Sequence, residues 1–309
     1  MKVVFLGTGG TIPTAKRKHP AVAMRWEGDV LLFDCGEGVQ TQIFKTGLGI
    51  ASIQAILISH LHGDHVLGLP GLLMTMTQSS RSRLLELIGP IGLARWIRHV
   101  CEDLNFRPSF EIAVREIKSG PALVSPKYRI HAFPLDHTVL TLGYCFEENE
   151  RPGRFRVQEA LRLRVPRGPL WGRLQAGQTV ELEGGRKVHP WEVLGEPRPG
   201  IKVVYAVDSR PSKETLRAAS GADLLVHDAM FLPQDLDKAK ARGHSTTTEA
   251  AELASKARVR RLILTHISPR YHGQEKRILR EARKIFPSSM VAEDLMEIEI
   301  LHRDGTGAG

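Results

Sequence analysis

Between His60 and His65 the chain sets three imidazoles and a carboxylate within six positions, His60-Leu61-His62-Gly63-Asp64-His65. They follow directly on the apolar run Ala55 to Ile58, which reads as a buried strand. The cluster therefore falls at a strand's C-terminal end, where the chain turns, and Gly63 frees the backbone of that turn. Imidazole nitrogen and carboxylate oxygen suit Zn²⁺ or a similar first-row ion. Four ligands this dense can serve two ions, with His60 and His62 pointing one way and Asp64 and His65 another.

The rest of the chain bounds what surrounds this loop. Its 309 residues suffice for one large domain or two small ones, and 42% hydrophobic content permits a buried core. No run of eighteen apolar residues occurs, so no membrane span is expected. The apolar start Val3 to Leu6 is too short for a signal peptide and reads as a first strand. Cys35, Cys101 and Cys145 are widely spaced and form no CxxC pair, which predicts reduced thiols and a cytoplasmic chain. Gly7-Thr8-Gly9-Gly10-Thr11-Ile12-Pro13 lacks a third glycine and runs into proline, so it is a loop and not a dinucleotide fingerprint; no nucleotide cofactor is expected.

The pattern is that of an α/β protein. Ala21 to Trp26 and Asp29 to Phe33 flank Glu27-Gly28 as a hairpin, which ends at Asp34-Cys35-Gly36-Glu37-Gly38. A short helix through Gln42 to Thr46 follows, and leucines and methionines at helical spacing predict a helix over His65 to Gln78. Further strands are read at Leu84 to Ile88, Val114 to Ile117, Tyr128 to Phe133 and Thr141 to Phe146, with a helix over Leu93 to Leu104. Beyond Gly200 strands and helices alternate: Ile201 to Val207, Lys213 to Ala219, Ala222 to Val226, Thr246 to Ala257, Leu262 to Leu264, Gln274 to Phe286 and Met296 to Leu301. Thr246 with Glu249 predicts a capping box. Asp304 to Gly309 read as a frayed end.

Between Glu150 and Gly200 the composition shifts. Six of the eighteen prolines lie there, and Arg151 to Arg173 holds seven arginines against the single acid Glu159. That places +6 of the chain's formal +9 in 23 residues, which favours an anionic partner such as nucleic acid. Apolar periodicity is poor. The segment reads as an arm projecting from the body, outside the core, with a short helix near Val157 to Leu163.

His60, His137, Asp208, His227-Asp228 and His266 each follow an apolar strand. In a layered α/β sheet such ends gather on one edge, where sites are built. Seven candidate ligands result. One ion takes His60, His62 and His137; the other takes Asp64, His65 and His266; Asp208 bridges. Two ions about 3.5–4 Å apart can hold an attacking water and clamp a phosphoryl displacement, and metal binding lowers that water's pKa towards about 7. Asp64 can also accept the water's proton. His244, outside the ligand set and just ahead of a helix, reads either as a surface capping residue or as the group that protonates the leaving oxygen, with Asp228 orienting it. These ligands also accept Mn²⁺ or Fe²⁺.

The Gly7-Thr8-Gly9-Gly10 loop, Asp34-Cys35-Gly36-Glu37-Gly38, the HxHxDH loop, Asp136-His137-Thr138, Asp208-Ser209-Arg210-Pro211, His244-Ser245-Thr246 and Thr265-His266-Ile267-Ser268 together resemble the metallo-β-lactamase superfamily. Within it they resemble the ribonuclease Z family of tRNA 3′-processing endonucleases, over nearly the whole chain. The arm's Arg151-Pro152-Gly153-Arg154 and Gly168-Pro169-Leu170-Trp171-Gly172-Arg173 look like that family's tRNA-binding exosite. The resemblance implies one αββα four-layer sandwich over 1–309 with an inserted exosite arm at about 150–200. It further implies two zinc ions per subunit and a homodimer in which one subunit's arm holds the tRNA that the other cuts. The expected reaction removes the 3′ trailer from a tRNA precursor and leaves a 3′-hydroxyl on the tRNA. Exosite contacts would come from Arg151, Arg154, Arg156, Arg162, Arg164, Arg167 and Arg173. The chain departs from the family pattern in three places. Asp228 stands where glutamate is usual and reaches one methylene less far, Ser209 replaces threonine, and the Pro13 to His19 loop lacks the usual asparagine. The alternative is a metal-dependent phosphodiesterase for small phosphodiesters, which would have no need of the arginine-rich arm.

Overall fold

The computed structural model describes residues 1–303; the expected fray at 304–309 lies outside the described residues. Sixteen strands are present among them: β1 (Lys2–Gly7), β2 (Ala21–Trp26), β3 (Asp29–Phe33), β4 (Ile53–Leu57), β5 (Leu85–Gly89), β6 (Ile112–Glu116), β7 (Gly120–Val124), β8 (Tyr128–Leu135), β9 (Thr141–Glu148), β10 (Val180–Glu181), β11 (Lys187–Val188), β12 (Lys202–Ala206), β13 (Leu224–Asp228), β14 (Leu262–Thr265), β15 (Ser289–Val291) and β16 (Glu297–Glu299). Two sheets have seven strands each, in the orders β16-β1-β2-β3-β4-β5-β6 and β15-β14-β13-β12-β9-β8-β7.

Each large sheet contains a parallel run, β3 to β6 in one and β12 to β15 in the other. Parallel strands are covered on both faces, and their sequences are accordingly near-continuous in apolar residues: Ile-Gln-Ala-Ile-Leu in β4 and Leu-Ile-Leu-Thr in β14. Parallel runs also carry all their C-terminal ends to one edge. The sheets face each other through aromatic side chains, with Phe33 of β3 against Tyr205 of β12 at 5.4 Å between ring centroids and Trp26 of β2 against Tyr128 of β8 at 5.3 Å. On its outer face the first sheet packs against helices Val39–Phe44, Leu69–Gln78 and Leu93–Asp103. The second packs against Lys213–Ala219, Thr247–Lys256 and Glu275–Arg283. This is the αββα arrangement.

Four differences from the expected elements have physical causes. The helix read over His65 to Gln78 is two, Gly63–Val66 and Leu69–Gln78. At the break Gly68 lies against the Gly36 backbone, where an added Cβ would stand 2.1 Å from its carbonyl oxygen. The chain is pinned there to the loop after β3. Strands β7 and β15 and the helix Leu236–Ala241 are absent from the expected elements; each is six residues or shorter, too short to show a period.

The chain divides into two compact units: Met1–Glu147 with Lys202–Leu301, and Glu148–Ile201 with His302 and Arg303 among the described residues. The second unit, expected to lie outside the core, has a small core of its own. Ala160, Leu163, Val165, Leu174, Val180, Val188 and Val193 form a buried cluster of their own. Ala160, Leu174 and Val193 come from helices Val157–Arg162, Pro169–Gln175 and Pro190–Val193, Val180 and Val188 from the β10–β11 hairpin, and Leu163 and Val165 from the turn after the first helix. Each element contributes only one or two apolar residues, so no helical or strand period becomes visible along the sequence.

Candidate active site

The strand ends converge within the larger unit. β4 leads into His60 and His62, and the turn Gly63–Val66 carries Asp64 and His65. β8 leads to His137, β12 to Asp208, β13 ends at Asp228, and β14 leads to His266. One ligand atom from each of His60, His62, His137 and Asp208 lies within 4.8 Å of the others, as do those of Asp64, His65 and His266. All seven expected ligands are brought together, in the two expected groups. Asp208 faces both: Oδ2 lies 3.7 Å from His60 Nε2, while Oδ1 lies 3.3 Å from His65 Nε2 and 3.2 Å from His266 Nε2. A third cluster joins Asp208 and His266 with His244.

The backbone at these ends is unusual. Asp34, Asp208 and His266 adopt φ of 57°, 50° and 59°, a left-handed conformation costing non-glycine residues on the order of 1–3 kcal/mol each. It swings each side chain off the strand direction at the end of β3, β12 and β14. Gly243 serves a similar close approach. It has φ +68°, its carbonyl accepts from His137 Nδ1 at 2.9 Å, and a Cβ there would meet that nitrogen at 2.9 Å.

The imidazoles are oriented from behind. His60 Nδ1 meets Ser59 Oγ at 2.9 Å, and His65 Nδ1 meets Asp34 Oδ2 at 2.7 Å. The opposite nitrogens point inward. His65 Nε2, His137 Nε2, His266 Nε2 and Asp208 Oδ1 are buried with no hydrogen-bond partner. Buried polar atoms are otherwise nearly always paired. Unpaired atoms of ligand type gathered in these two groups fit divalent metal ions, whose bonds would satisfy them.

Electrostatics point the same way. Burial would raise the Asp208 carboxyl, but His266, His65 and His60 outweigh it and hold it well below the carboxylate range. Asp64 behaves alike: burial is overcome by His266 and His65. Burial lowers His60 and His137 and keeps their lone pairs free. For His65 burial is overridden by Asp208 and Asp34, which raise it well above the imidazole range. Ionised carboxylates that favour a proton on His65 would equally favour a metal cation.

His244 lies beside the ligands, its ring 5.0 Å from that of His137 and 5.2 Å from that of His266. Its Nδ1 meets Asp228 Oδ2 at 2.7 Å, so the shorter aspartate reaches it. Met230 N and Ser209 N also donate to Asp228, at 2.8 and 3.1 Å. Burial lowers the His244 pKa, but Asp228 outweighs it and raises it. Asp64 Oδ2 accepts the Thr11 backbone N–H at 2.9 Å, which ties the first glycine loop to the site. An open cavity of about 510 Å³ is lined by Thr11, His62, Asp64, His137, Asp208, Arg242 and His244 among others.

Asp34 is the functional residue the sequence reading did not assign. It is fully buried and binds Ser59, His65 and Tyr205. Its signal was present: like Asp208 and His266, it directly follows an apolar strand. The seven arginines expected to form an exosite all belong to the smaller unit; six are exposed and Arg151 is half-buried. Arg162 pairs with Glu159, and Arg167 lies over the Trp171 ring at 5.7 Å.

The facing sheets and the ligand cluster at their strand ends define a metallo-β-lactamase fold. The metallo-β-lactamase fold protein YhfI from Bacillus subtilis superposes with a TM-score of 0.68 at 19% identity, covering 96% of this chain and 98% of that one. Residues 180–267 match the beta-lactamase superfamily domain, and residues 1–99 match the family described as anti-Pycsar protein Apyc1. Ribonuclease Z of Methanosarcina acetivorans is 43% identical over 98% of this chain and 99% of its own length. Human tRNase Z, short form, superposes with a TM-score of 0.72 at 29% identity, covering 97% of this chain and all of that one. The chain belongs to the ribonuclease Z family.

Proposed function

We propose that this chain is a metal-dependent endoribonuclease that removes the 3′ trailer from tRNA precursors, leaving a 3′-hydroxyl on the tRNA. Family membership supplies the substrate class. The observation that carries the chemistry is the set of buried, unpartnered ligand atoms of His65, His137, His266 and Asp208. His60, His62, His137 and Asp208 would hold one ion and Asp64, His65, His266 and Asp208 a second; zinc suits this donor set, as would Mn²⁺ or Fe²⁺. When bound, such ions supply Lewis acidity and make water a nucleophile at neutral pH.

The chain's own residues do the rest. Asp64, ionised and oriented by the Thr11 N–H, accepts the attacking water's proton. Water's oxygen bonds to phosphorus and the bond to the ribose 3′-oxygen breaks. His244, held at Nδ1 by Asp228, gives a proton from Nε2 to that oxygen. The products are the tRNA 3′-hydroxyl and a trailer bearing a 5′-phosphate.

Substrate grip is assigned to the smaller unit as an exosite, through Arg151, Arg154, Arg156, Arg162, Arg164, Arg167 and Arg173. A homodimer in which one subunit's exosite presents tRNA to the other's site follows the family reading, as does a cytoplasmic setting. Among the described residues no helix is long and apolar enough to cross a membrane.

Two experiments test this. Metal-loaded protein is incubated with a tRNA precursor carrying a 3′ trailer, and the ends are mapped. A single cut at the base of the acceptor stem, abolished by a chelator and restored by zinc, is expected. An intact precursor beside rapid hydrolysis of a small phosphodiester would instead favour an enzyme of small substrates. In the second, Arg164, Arg167 and Arg173, all exposed, are changed to alanine together. Affinity for precursor should fall and the slope of log K against log salt should flatten by about 0.7–0.9 per lost phosphate contact. Hydrolysis of a small phosphodiester should be unaffected. An unchanged slope would remove these arginines from the RNA interface.

A further inference from the structure

The residue after Ser209 ties the separate parts of this site together. The Arg210 backbone N–H donates to Asp136 O at 2.8 Å, the carbonyl just before His137. Its guanidinium Nη1 donates to the backbone carbonyl of His244 at 2.7 Å and to Glu249 Oε2 at 2.8 Å. Nη2 completes a bidentate pair on Glu249 Oε1. Glu249 in turn accepts from Thr246 N at 2.9 Å and closes the capping box of helix Thr247–Lys256. Both side chains of the pair are mostly shielded, at 16% and 21% exposed.

His244 is thus held at two points. Asp228 fixes the far side of its ring, and Arg210 fixes its carbonyl, next to the Cα that carries the ring. Between them Ser245 Oγ donates to Ser209 O at 2.5 Å, so the His244-Ser245-Thr246 turn is tied to the β12 end that presents Asp208. A proton donor must lie within hydrogen-bond reach of the atom it serves, and a 1 Å displacement can cost about a hundredfold in rate. Arg210 is not itself among the clustered ligands or the residues lining the cavity, and the site residue its guanidinium touches is His244.

We propose that Arg210 is a positioning residue for leaving-group protonation: its guanidinium, braced by Glu249, holds the His244 backbone so that Nε2 faces the departing 3′-oxygen. This rests on the reading of His244 as proton donor. The bland alternative is that the Arg210–Glu249 pair only stabilises the helix start. A change of leaving atom separates the two, because a thiolate leaves without a proton.

The test uses the metal-loaded holoenzyme and two precursors. One has the natural oxygen at the scissile 3′ position; the other has sulfur there. Single-turnover rates at saturating enzyme remove binding effects, and bound metal is measured for every variant. Arg210→Met should slow the oxygen substrate by about 10- to 100-fold and leave the sulfur substrate within about threefold of the parent, at unchanged metal content. His244→Ala should show the same selectivity, more strongly. Arg210→Lys keeps the charge without the planar fork, should fall between, and carries the same test should Arg210→Met not fold. Equal loss on both substrates, or loss on neither, for Arg210 variants beside a selective His244→Ala would overturn the positioning role alone. Equal loss for His244→Ala would instead remove the proton-donor reading, and the Arg210 proposal with it.

Discussion

Asp208→Ala is expected to abolish RNA cleavage, by roughly a thousandfold or more, and to release metal from both ligand groups. The carboxylate faces the two groups at once, with Oδ2 towards His60 and Oδ1 towards His65 and His266. Its removal would take one ligand from each ion and the negative charge that draws cations to this place. The several kcal/mol that metal ions contribute to phosphoryl transfer would go with them, and each 1.4 kcal/mol is a factor of ten. Fold stability should suffer far less, since His65 keeps Asp34 and His60 keeps Ser59. Metal content by elemental analysis, chelator sensitivity and a thermal melt of the chelated protein check this. Retention of a full metal complement by a folded Asp208→Ala variant would mean that Asp208 does not bridge. Asp208→Asn makes a finer comparison. It keeps the shape and one oxygen but not the charge, so it should retain one ion better than two.

The site was more legible in the sequence than the elements around it. Its ligands follow strands that are buried on both faces, and such strands show as unbroken apolar runs; each run then stops at a polar residue. Parallel pairing carries these stops to one edge of each sheet, and the sheets face each other, so His60, Asp208 and His266 meet although more than 200 residues separate the first and last. What stayed hidden was structure set by tertiary contact. The break at Gly68 comes from a backbone packed against Gly36, which no local period encodes. The core of Glu148–Ile201 is assembled from scattered residues such as Leu163, Leu174 and Val188, so its sequence looks coreless. The arginines dominate that stretch because they stay on its outside. Asp34 carries the same strand-end signal, but its partners Ser59, His65 and Tyr205 are set by tertiary contact, which no strand end encodes.

Asp34→Ala should therefore be the most damaging change outside the ligand set, and its cost should fall first on stability. Oδ1 accepts Ser59 N at 2.7 Å; Oδ2 accepts Ser59 Oγ and the Tyr205 hydroxyl at 2.8 Å each and meets His65 Nδ1 at 2.7 Å. Burial and the nearby Asp34 push the Tyr205 hydroxyl well above its usual range, so it stays a donor. Alanine would strand these donors where water does not reach, because Ser59, His65 and Asp34 are all fully buried. Breaking a buried charged network by removing one partner costs about 3–5 kcal/mol. The metal-free protein should show that loss as a lower denaturation midpoint. His65 would also lose the contact that sets its tautomer and aims Nε2 at Asp208, and loss of such a partner typically costs 10- to 100-fold in metal affinity. Asp34→Asn separates the two effects. Its amide keeps one acceptor for Ser59 but turns donor hydrogens towards Tyr205 and His65, so metal affinity should fall even where a fold survives. A melting curve of the metal-free alanine variant that matches the parent would show that Asp34 does not hold the two sheets at this edge. Unaltered zinc affinity in the asparagine variant would show that His65 is aimed by something else.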